Sequence, residues 1–218
     1  MASAYGHASL ALAILVITPL SATIEDPMTY PTIALASSSP RRRELLTQLG
    51  VNYELVKADI DETPFNNESA VHYVQRLALA KARAGLARLS VELPVLGADT
   101  IVVVDGNILG KPASFAEFKL SMQLLSGRSH QVMTAVALVS HTRQLQQLVC
   151  TDVYFRVLSE TEISHYWHSG EPQDKAGGYG IQGLAAKFIQ RINGSYTGVV
   201  GLPLCETEQM LRQWQELE

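Results

Sequence analysis

The chain has 218 residues, of which 47% are hydrophobic and 17% are charged, and its formal net charge is -4. Such a length suits one domain with a sizeable apolar core, and the composition excludes a disordered or collagen-like chain. The slightly acidic balance gives no electrostatic footprint for binding a DNA or RNA polymer, so an anionic ligand must be held locally. Two cysteines are too few for a disulfide framework, and we expect both to be small buried residues.

The amino-terminal residues form an apolar segment that we expect to lie outside the folded domain. Residues 8–22 read ASLALAILVITPLSA, which is shorter than the roughly 20 apolar residues of a transmembrane helix and contains Pro19. No Lys or Arg precedes Arg41, so the basic region of a signal peptide is missing. Met28 is a plausible second start, directly before the first strand signal. We therefore expect residues 1–30 to be an extension, with secretion as the less favoured alternative, and residues 31–218 to form the domain.

From residue 32 onward, strand and helix signals alternate, which predicts an α/β fold with a mixed sheet flanked by helices. The predicted strands cover residues 33–36, 53–57, 95–104, 107–109, 131–140 and 144–157. The predicted helices cover residues 41–49, 69–89, 114–125 and 160–168, and a last helix starts at Thr207. The turn Asp105-Gly106 predicts that residues 101–104 pair with residues 107–109 as a hairpin.

The sequence SSSPRRR, residues 37–43, lies between the first predicted strand and the first predicted helix. The free backbone N–H groups of a helix N-terminus favour an anion, and serine hydroxyls and arginine guanidinium groups add donors suited to phosphate. Ser37, Ser39, Arg41 and Arg42 are therefore candidate phosphate ligands. The alternative is a plain helix cap followed by solvated arginines. The segment is not a Walker loop, because the G-x-x-x-x-G-K-[ST] pattern is missing.

Asp99 and Thr100 interrupt an otherwise apolar strand, and Lys111 follows the adjoining hairpin. A carboxylate among apolar side chains is costly unless it is paired, hydrogen-bonded or bound to a metal. Beside a phosphate site, Asp99 and Lys111 together would combine metal binding or water activation with charge stabilisation. The alternative is a structural ion pair. Glu62 in an acidic turn and Lys81 on a helix suit a hard cation bound by carboxylate and phosphate oxygens. Solvated turn acids and a surface lysine are the alternative there.

Residues 174–183 read DKAGGYGIQG and contain four glycines. Glycines let a backbone approach a ligand closely, and the ring of Tyr179 offers a surface for stacking. Gln182 carries both a donor and an acceptor suited to a nucleobase edge. The alternative is a surface loop with turn glycines.

Several of these segments, taken together and in order, make the chain resemble the Maf family of nucleoside triphosphate pyrophosphatases from about residue 33 to the C-terminus. The segments are LASSSPRRRELL, DETP, LALAKARAG, VLGADTIV, GKP, LSGRSHQVMTAV, DKAGGYGIQG and INGSYTGVVGLPL. The resemblance implies an elongated α/β fold with two lobes and a deep nucleotide-binding groove, as in Maf and ITPase-like proteins. It also implies dependence on Mg²⁺ or Mn²⁺, a cytoplasmic location and frequent homodimers.

The resemblance assigns roles motif by motif. Asp99 in GADT matches the proton acceptor of the family, and three residues match positions tied to substrate choice: Arg41, Thr100 and Gln182. Five residues match phosphate-site and metal-site positions: Ser37, Ser39, Glu62, Lys81 and Lys111. Arg42 belongs to the usual arginine pair, and Glu62 and Asp99 are the expected metal ligands.

The segment KAGGYGIQG is similar to the branch of the family that acts on dTTP and UTP. We therefore expect hydrolysis between the α- and β-phosphates, giving the monophosphate and pyrophosphate and removing noncanonical nucleotides, with no membrane or nucleic-acid partner. One alternative is the 7-methyl-GTP specificity of another branch. The other is a non-catalytic protein that senses nucleotides and regulates cell division, and only the enzyme requires Asp99.

Overall fold

The computed structural model of the protein describes residues 30–217, so the apolar segment 8–22 and Met28 lie outside the described residues. The strands are β1 (Ile33–Leu35), β2 (Tyr53–Leu55), β3 (Val95–Val104), β4 (Asn107–Leu109), β5 (Ser129–Val139), β6 (Gln144–Phe155) and β7 (Ile189–Asn193). The helices are α1 (Pro40–Leu49), α2 (Ala70–Leu86), α3 (Phe115–Leu125), α4 (Glu160–His168), α5 (Tyr196–Val200) and α6 (Leu204–Glu216). Short 3-10 helices cover Glu171–Asp174, Ala176–Gly178 and Leu184–Phe188.

All seven strands form one mixed sheet in the order β2-β1-β3-β5-β6-β7, and β4 pairs with β3 as the predicted hairpin. The first three strands of this order run parallel, and the remaining pairs are antiparallel. The α/β fold with a mixed sheet is thus confirmed. Within residues 30–217, none of the helices has the length and apolar content that crossing a lipid bilayer requires.

The strand β3 has a gap in its pairing, and this gap positions the site. On one side of β3, β1 pairs only with its first two residues and β4 only with its last three. No described strand covers residues 97–101 on that side. The chain leaves β1 for α1 at the start of the gap. The last hydrogen bond before this point is donated by the amide N of Ala36 to the carbonyl of Leu96 at 2.8 Å. The first turn of α1 therefore lies beside Asp99 and Thr100.

The two faces of the sheet carry separate apolar clusters. One face packs against α2 through alternate residues of β3 such as Ile101 and Val103. The opposite face carries two clusters, one built on α1 and α6 and the other on α3 and α4. Because side chains alternate along a strand, Asp99 points towards α2 and Thr100 towards the boundary between the other two clusters.

Gly97 allows α2 to lie unusually close to β3. A Cβ atom at this position would lie 2.4 Å from the carbonyl oxygen of Ala78 and 2.5 Å from the amide N of Ala82. Only a glycine permits this contact, which brings the α2 residue Lys81 to the side chain of Asp99.

Several predicted boundaries were inaccurate, and so was the prediction for the cysteines. The helix α2 ends at Leu86 rather than at residue 89, β5 begins at Ser129 rather than at residue 131, and β6 ends at Phe155 rather than at residue 157. The strand β2 ends at Leu55 rather than at residue 57, and α6 begins at Leu204 rather than at Thr207. Pro203 is the N-cap of this helix, and its carbonyl accepts the first helical hydrogen bond, from the amide N of Thr207 at 2.9 Å. Both cysteines, Cys150 and Cys205, are exposed thiols and are not buried as predicted.

Candidate active site

A cavity of about 750 Å³ opens at the gap in β3, between the tip of α1, the α2 face and the glycine-rich segment. All ten residues predicted as site residues line it: Ser37, Ser39, Arg41, Arg42, Glu62, Lys81, Asp99, Thr100, Lys111 and Gln182. These residues come from separate parts of the chain. Their convergence on one cavity is a property of the fold, whereas their individual roles stay predictions.

Two carboxylates and one ammonium group meet at the deep end of the cavity. The Nζ atom of Lys81 lies 2.7 Å from Oδ1 of Asp99 and 2.7 Å from Oε1 of Glu62. Asp99 is 7% exposed, and its Oδ2 atom forms no hydrogen bond with any residue from 30 to 217. The hydroxyl of Tyr73 on α2 donates to the carbonyl of Glu62 at 2.8 Å, which holds the acidic turn against the helix.

The charges around Glu62 keep its side chain ionised. Partial burial alone would raise the pKa of Glu62, but the hydrogen bond and charge of Lys81, together with Lys111 and Arg42, outweigh burial. The net result is a pKa below the ordinary value for glutamate. Glu62 is therefore a carboxylate across the neutral range.

The donor set at this end fits a hard divalent cation. Glu62 and Asp99 lie close enough for one oxygen of each to contact Lys81, and the second oxygen of each forms no hydrogen bond with a residue from 30 to 217, so it remains for a cation. Within residues 30–217, no three His, Cys, Asp or Glu side chains cluster closely enough to hold a metal by themselves. Mg²⁺ commonly takes one or two carboxylates and completes its shell with substrate phosphate oxygens and water. Glu62 and Asp99 are the residues that would hold it.

Arg42 fastens the tip of α1 to the sheet. Its Nε donates to the carbonyl of Gly201 at 2.8 Å, Nη2 to the hydroxyl of Thr100 at 3.1 Å, and Nη1 to the hydroxyl of Ser37 at 3.3 Å. Burial lowers the pKa of Arg42 while the Asp99 carboxylate opposes that change, and a guanidinium remains charged in proteins. The charge of Arg42 therefore reaches the cavity, but most of its donors already have protein partners.

Other groups that line the cavity, at the α1 tip and at Lys111, are available to an anion. Ser39 occupies the N-cap position of α1 and Pro40 follows it, yet the Ser39 hydroxyl caps no described backbone N–H. Arg41 forms one long contact, 3.4 Å from Nη1 to Oδ2 of Asp174 across the cavity mouth. Lys111 is exposed and forms no ion pair with a residue between 30 and 217, although its charge acts on Glu62.

The glycine-rich segment does not have the geometry that the sequence suggested. A Cβ atom at Gly177 would lie 2.9 Å from the Val102 side chain, and one at Gly178 would lie 2.9 Å from the Phe118 ring. Both glycines also have positive φ, at +65° and +75°. The prediction that these glycines admit a ligand was therefore wrong for this pair, because they accommodate the protein's own core.

Tyr179 is likewise unsuited to stacking on a base. Its hydroxyl lies 2.6 Å from Nε2 of buried His130, and its ring meets Phe155 edge-on at 4.9 Å. The ring is thus enclosed by protein on the inner side of the cavity wall. Gln182, by contrast, is exposed at the cavity rim and forms no hydrogen bond with another described residue.

Comparison with known proteins agrees with this arrangement. The family model described as Maf-like protein matches residues 32–214. The chain belongs to the Maf family. A relative from Photobacterium profundum named dTTP/UTP pyrophosphatase is 55% identical over 189 residues, which cover 84% of this chain and 96% of that protein. A protein of the same name from Escherichia coli O157:H7 is 54% identical over 183 residues, covering 84% and 93%.

A solved structure of a HAM1 protein from Coxiella burnetii matches this Maf protein with a TM-score of 0.50 and 19% identity. The match covers 84% of this chain and 99% of that one. At this identity the likeness supports the fold alone. It agrees with the mixed sheet of seven strands described above.

Sequence reasoning missed one residue that lines the cavity of this Maf protein, Tyr73, and two that lie behind its wall, Tyr166 and Glu171. Tyr73 lies four and eight residues before Leu77 and Lys81, so helical spacing already puts it on the cavity-lining face of α2. Tyr166 and Glu171 contact the backbone of the glycine-rich segment from behind. No spacing rule signals that second contact, because it depends on how α4 packs.

Proposed function

We propose that the protein hydrolyses dTTP and UTP between the α- and β-phosphates and releases the nucleoside monophosphate and pyrophosphate. The observation that carries this proposal is the meeting of Asp99, Lys81 and Glu62 at the deep end of a cavity that begins at a serine- and arginine-bearing helix tip. Relatives above 50% identity over 84% of the chain bear the name dTTP/UTP pyrophosphatase, which supports the same activity.

Asp99 is the proposed proton acceptor for the attacking water. Its Oδ1 atom accepts a hydrogen bond from Lys81, which fixes the carboxylate and leaves Oδ2 facing the cavity. As the water oxygen bonds to phosphorus, the bond from phosphorus to the bridging oxygen breaks and the water proton passes to Asp99. A carboxylate within reach of that water serves as a general base.

Mg²⁺ or Mn²⁺ held by Glu62 and Asp99 would supply positive charge against the charge that develops on the phosphates. Arg41, Lys81 and Lys111 would neutralise the leaving pyrophosphate from the cavity walls. The hydroxyls of Ser37 and Ser39 and the free N–H groups of the α1 tip would hold the outer phosphates. The protein's contribution is mainly positioning and electrostatics.

We assign recognition of the base to Gln182, in the part of the cavity lined by the glycine-rich segment. Its carboxamide offers one donor and one acceptor edge, which suits the O4 and N3–H groups of thymine or uracil. Guanine carries the same acceptor–donor pair at O6 and N1–H, so a fixed Gln182 would disfavour it through the larger size of the purine, which moves that edge away from the carboxamide. Thr100 acts indirectly, because its hydroxyl accepts from Arg42 and lies 2.9 Å from the hydroxyl of Thr134.

The test incubates the protein with Mg²⁺ and, separately, dTTP, UTP, dGTP and 7-methyl-GTP, and identifies the products by chromatography. We expect dTTP and UTP to give monophosphate and pyrophosphate in equal amounts and to be the preferred substrates. Faster turnover of 7-methyl-GTP would favour the other branch specificity. Tight binding of dTTP without turnover would favour the nucleotide sensor, and release of dTDP with phosphate would contradict the assigned bond.

We also propose that the domain needed for this activity begins near residue 30. The family model starts at residue 32, and the hydroxyl of Tyr30 donates to Oε1 of Glu208 on α6 at 3.0 Å. A chain beginning at Met28 should therefore keep the turnover and thermal stability of the full chain. Loss of either would show that earlier residues contribute.

A further inference from the structure

The segment that carries Gln182 is anchored on both sides by one pair of side chains. Before it, the amide N of Gly180 donates to the hydroxyl of Tyr166 at 3.2 Å. After it, the amide N of Leu184 donates to Oε2 of Glu171 at 2.8 Å. The Tyr166 hydroxyl in turn donates to Oε1 of Glu171 at 2.7 Å, so the two anchors form one connected unit.

The tyrosine of this pair is itself held firmly. Tyr166 lies on α4 and is 3% exposed, and its ring packs against Phe188 edge-on at 5.3 Å and against Phe118 at 5.9 Å. Burial, reinforced by the hydrogen bond to Glu171, raises the pKa of the Tyr166 hydroxyl. The hydroxyl therefore stays protonated, donates to the carboxylate and accepts from the backbone N–H.

The glycine at position 183 gives independent support for this arrangement. A Cβ atom there would lie 2.3 Å from both carboxylate oxygens of Glu171, closer than any real contact. The φ of Gly183 is -102°, which any residue can adopt, so the backbone conformation does not require a glycine. A side chain at position 183 would push the Glu171 carboxylate away from its hydrogen bonds with Tyr166 and Leu184, so the glycine keeps that carboxylate in place.

A second glycine of the segment has a similar role. A Cβ atom at Gly180 would lie 2.8 Å from Cε of Lys175. The Nζ atom of Lys175 donates to the backbone carbonyl of Glu171 at 2.6 Å. Both glycines thus let the segment lie against the residues that hold it.

We propose that Tyr166 and Glu171 are positioning residues that fix the Gln182 segment and thereby set the choice between pyrimidine and purine nucleotides. This inference rests on the proposed function. The Gln182 side chain forms no hydrogen bond with another residue from 30 to 217, so its location is set by its backbone anchors. A site rejects a wrong base only when its polar groups cannot move to suit it.

The experiment compares Tyr166→Phe with the wild type through kcat/KM for dTTP and for dGTP. We expect the ratio of the two values to fall about tenfold, which corresponds to about 1.4 kcal/mol. The fall should arise from a higher KM for dTTP, with kcat for dTTP within about twofold of the wild type, because the Asp99 end is untouched. Glu171→Gln should lower the same ratio, since a carboxamide cannot accept both hydrogen bonds with equal geometry.

The matched control is Tyr30→Phe, which removes the hydroxyl from another tyrosine–glutamate hydrogen bond that lies outside the cavity. Its nucleotide ratio should equal that of the wild type. Thermal unfolding of each variant identifies any that fails to fold, and Glu171→Gln then serves in place of Tyr166→Phe.

A double variant tests whether the pair acts through Gln182. In a Gln182→Ala background, Tyr166→Phe should leave the dTTP to dGTP ratio unchanged. An undiminished tenfold fall in that background, or a wild-type ratio in both folded single variants, would overturn the inference. If the wild type releases no pyrophosphate from dTTP or UTP, the proposed function fails instead.

Discussion

Two parts of the cavity are built in different ways: the phosphate end, around Asp99, Lys81 and the tip of α1, and the base end, formed by the glycine-rich segment with Gln182. The phosphate end takes Asp99, Lys81 and Arg42 from the regular elements β3, α2 and α1, and the buried carboxylate of Asp99 is paired with Lys81. The base end lies at the turn between two short 3-10 helices, and Gln182 is exposed there, with no hydrogen bond from its side chain to the described residues 30–217 and with backbone anchors on both sides. Charges that must stabilise a reacting phosphate need fixed distances, which sheet and helix supply. The choice of base can reside in a loop, which can change without disturbing the sheet.

This difference between the two ends predicts which substitutions reduce activity or stability most. At the phosphate end, removal of one partner leaves another charge buried without compensation. At the base end, removal of a contact releases a segment that water can solvate. We therefore expect substitutions at the phosphate end to change turnover. Substitutions at the base end should change selectivity and should cause smaller changes in stability.

Apart from substitution of Asp99 itself, the largest effect is expected for Lys81→Met, which removes the charge that touches both carboxylates. We expect kcat/KM for dTTP to fall about 100-fold or more, because positioned cations at such sites contribute that much to catalysis. Steady-state pyrophosphate release measures it. The control is Lys119→Met, whose ion pair with Glu160 lies outside the cavity, and an equal loss in both variants would contradict the assignment.

Arg42→Lys should lower stability at the phosphate end by about 1–3 kcal/mol, because a lysine cannot replace three hydrogen bonds from a buried guanidinium fork. Urea unfolding gives this change in the free energy of unfolding. The neighbouring Arg43→Lys should change it by less than about 0.5 kcal/mol, since no hydrogen bond from the Arg43 side chain to a described residue is present. Equal effects at both positions would show that Arg42 does not fasten α1.

At the base end, acid should destabilise the protein through His130. Burial lowers the pKa of His130 to about 4, whereas its ordinary value is 6.5. Between these values the unfolded chain binds a proton and the folded chain does not, so stability is full above about pH 6.5 and falls as the pH drops towards 4. His130→Gln should flatten this dependence, by up to about 1.4 kcal/mol per pH unit. An unchanged slope in urea unfolding from about pH 7 to about pH 4.5 would refute this account.

The smallest effect is expected for Asp174→Asn at the cavity mouth. The contact of Asp174 with Arg41 is 3.4 Å long, and the side chains of the aspartate and the arginine are 64% and 29% exposed. Asp174 also accepts from Nζ of Lys175 at 2.6 Å, and the carboxamide oxygen of an asparagine can still accept that hydrogen bond. Such pairs contribute little, so stability should change by less than about 0.5 kcal/mol. Because Arg41 becomes free for the triphosphate, KM for dTTP should stay equal or fall, and a clear rise would show that the pair helps binding.

The phosphate end was largely predictable from the sequence, because its residue types carry distinctive chemistry. Asp99 stood out as a carboxylate in an apolar strand, and the structure pairs it with Lys81 from a helix that the sequence also indicated. The partner could not be identified in advance, because it depends on how closely α2 approaches Gly97. The unpaired stretch of β3 between its contacts with β1 and β4 could not be predicted either, because strand registers are set by tertiary pairing.

The base end was predicted less well. The four glycines suggested contact with a ligand, but Gly177 and Gly183 lie against Val102 and Glu171 of the protein itself. A glycine in a sequence indicates that space or backbone freedom is needed, and it does not say what fills the space. Only the packing of α4 against the segment shows that Tyr166 takes part.

The role of Asp99 as proton acceptor is tested by measuring pyrophosphate release from dTTP by the Asp99→Asn variant in the presence of Mg²⁺. Nucleotide binding is measured in parallel. Asparagine keeps the shape of the side chain and removes its ability to accept a proton. We predict that kcat falls about 1,000-fold or more while dTTP still binds and the protein stays folded. Turnover within about tenfold of the wild type would contradict the assignment of Asp99 as the proton acceptor, and with it the proposed reaction at this cavity.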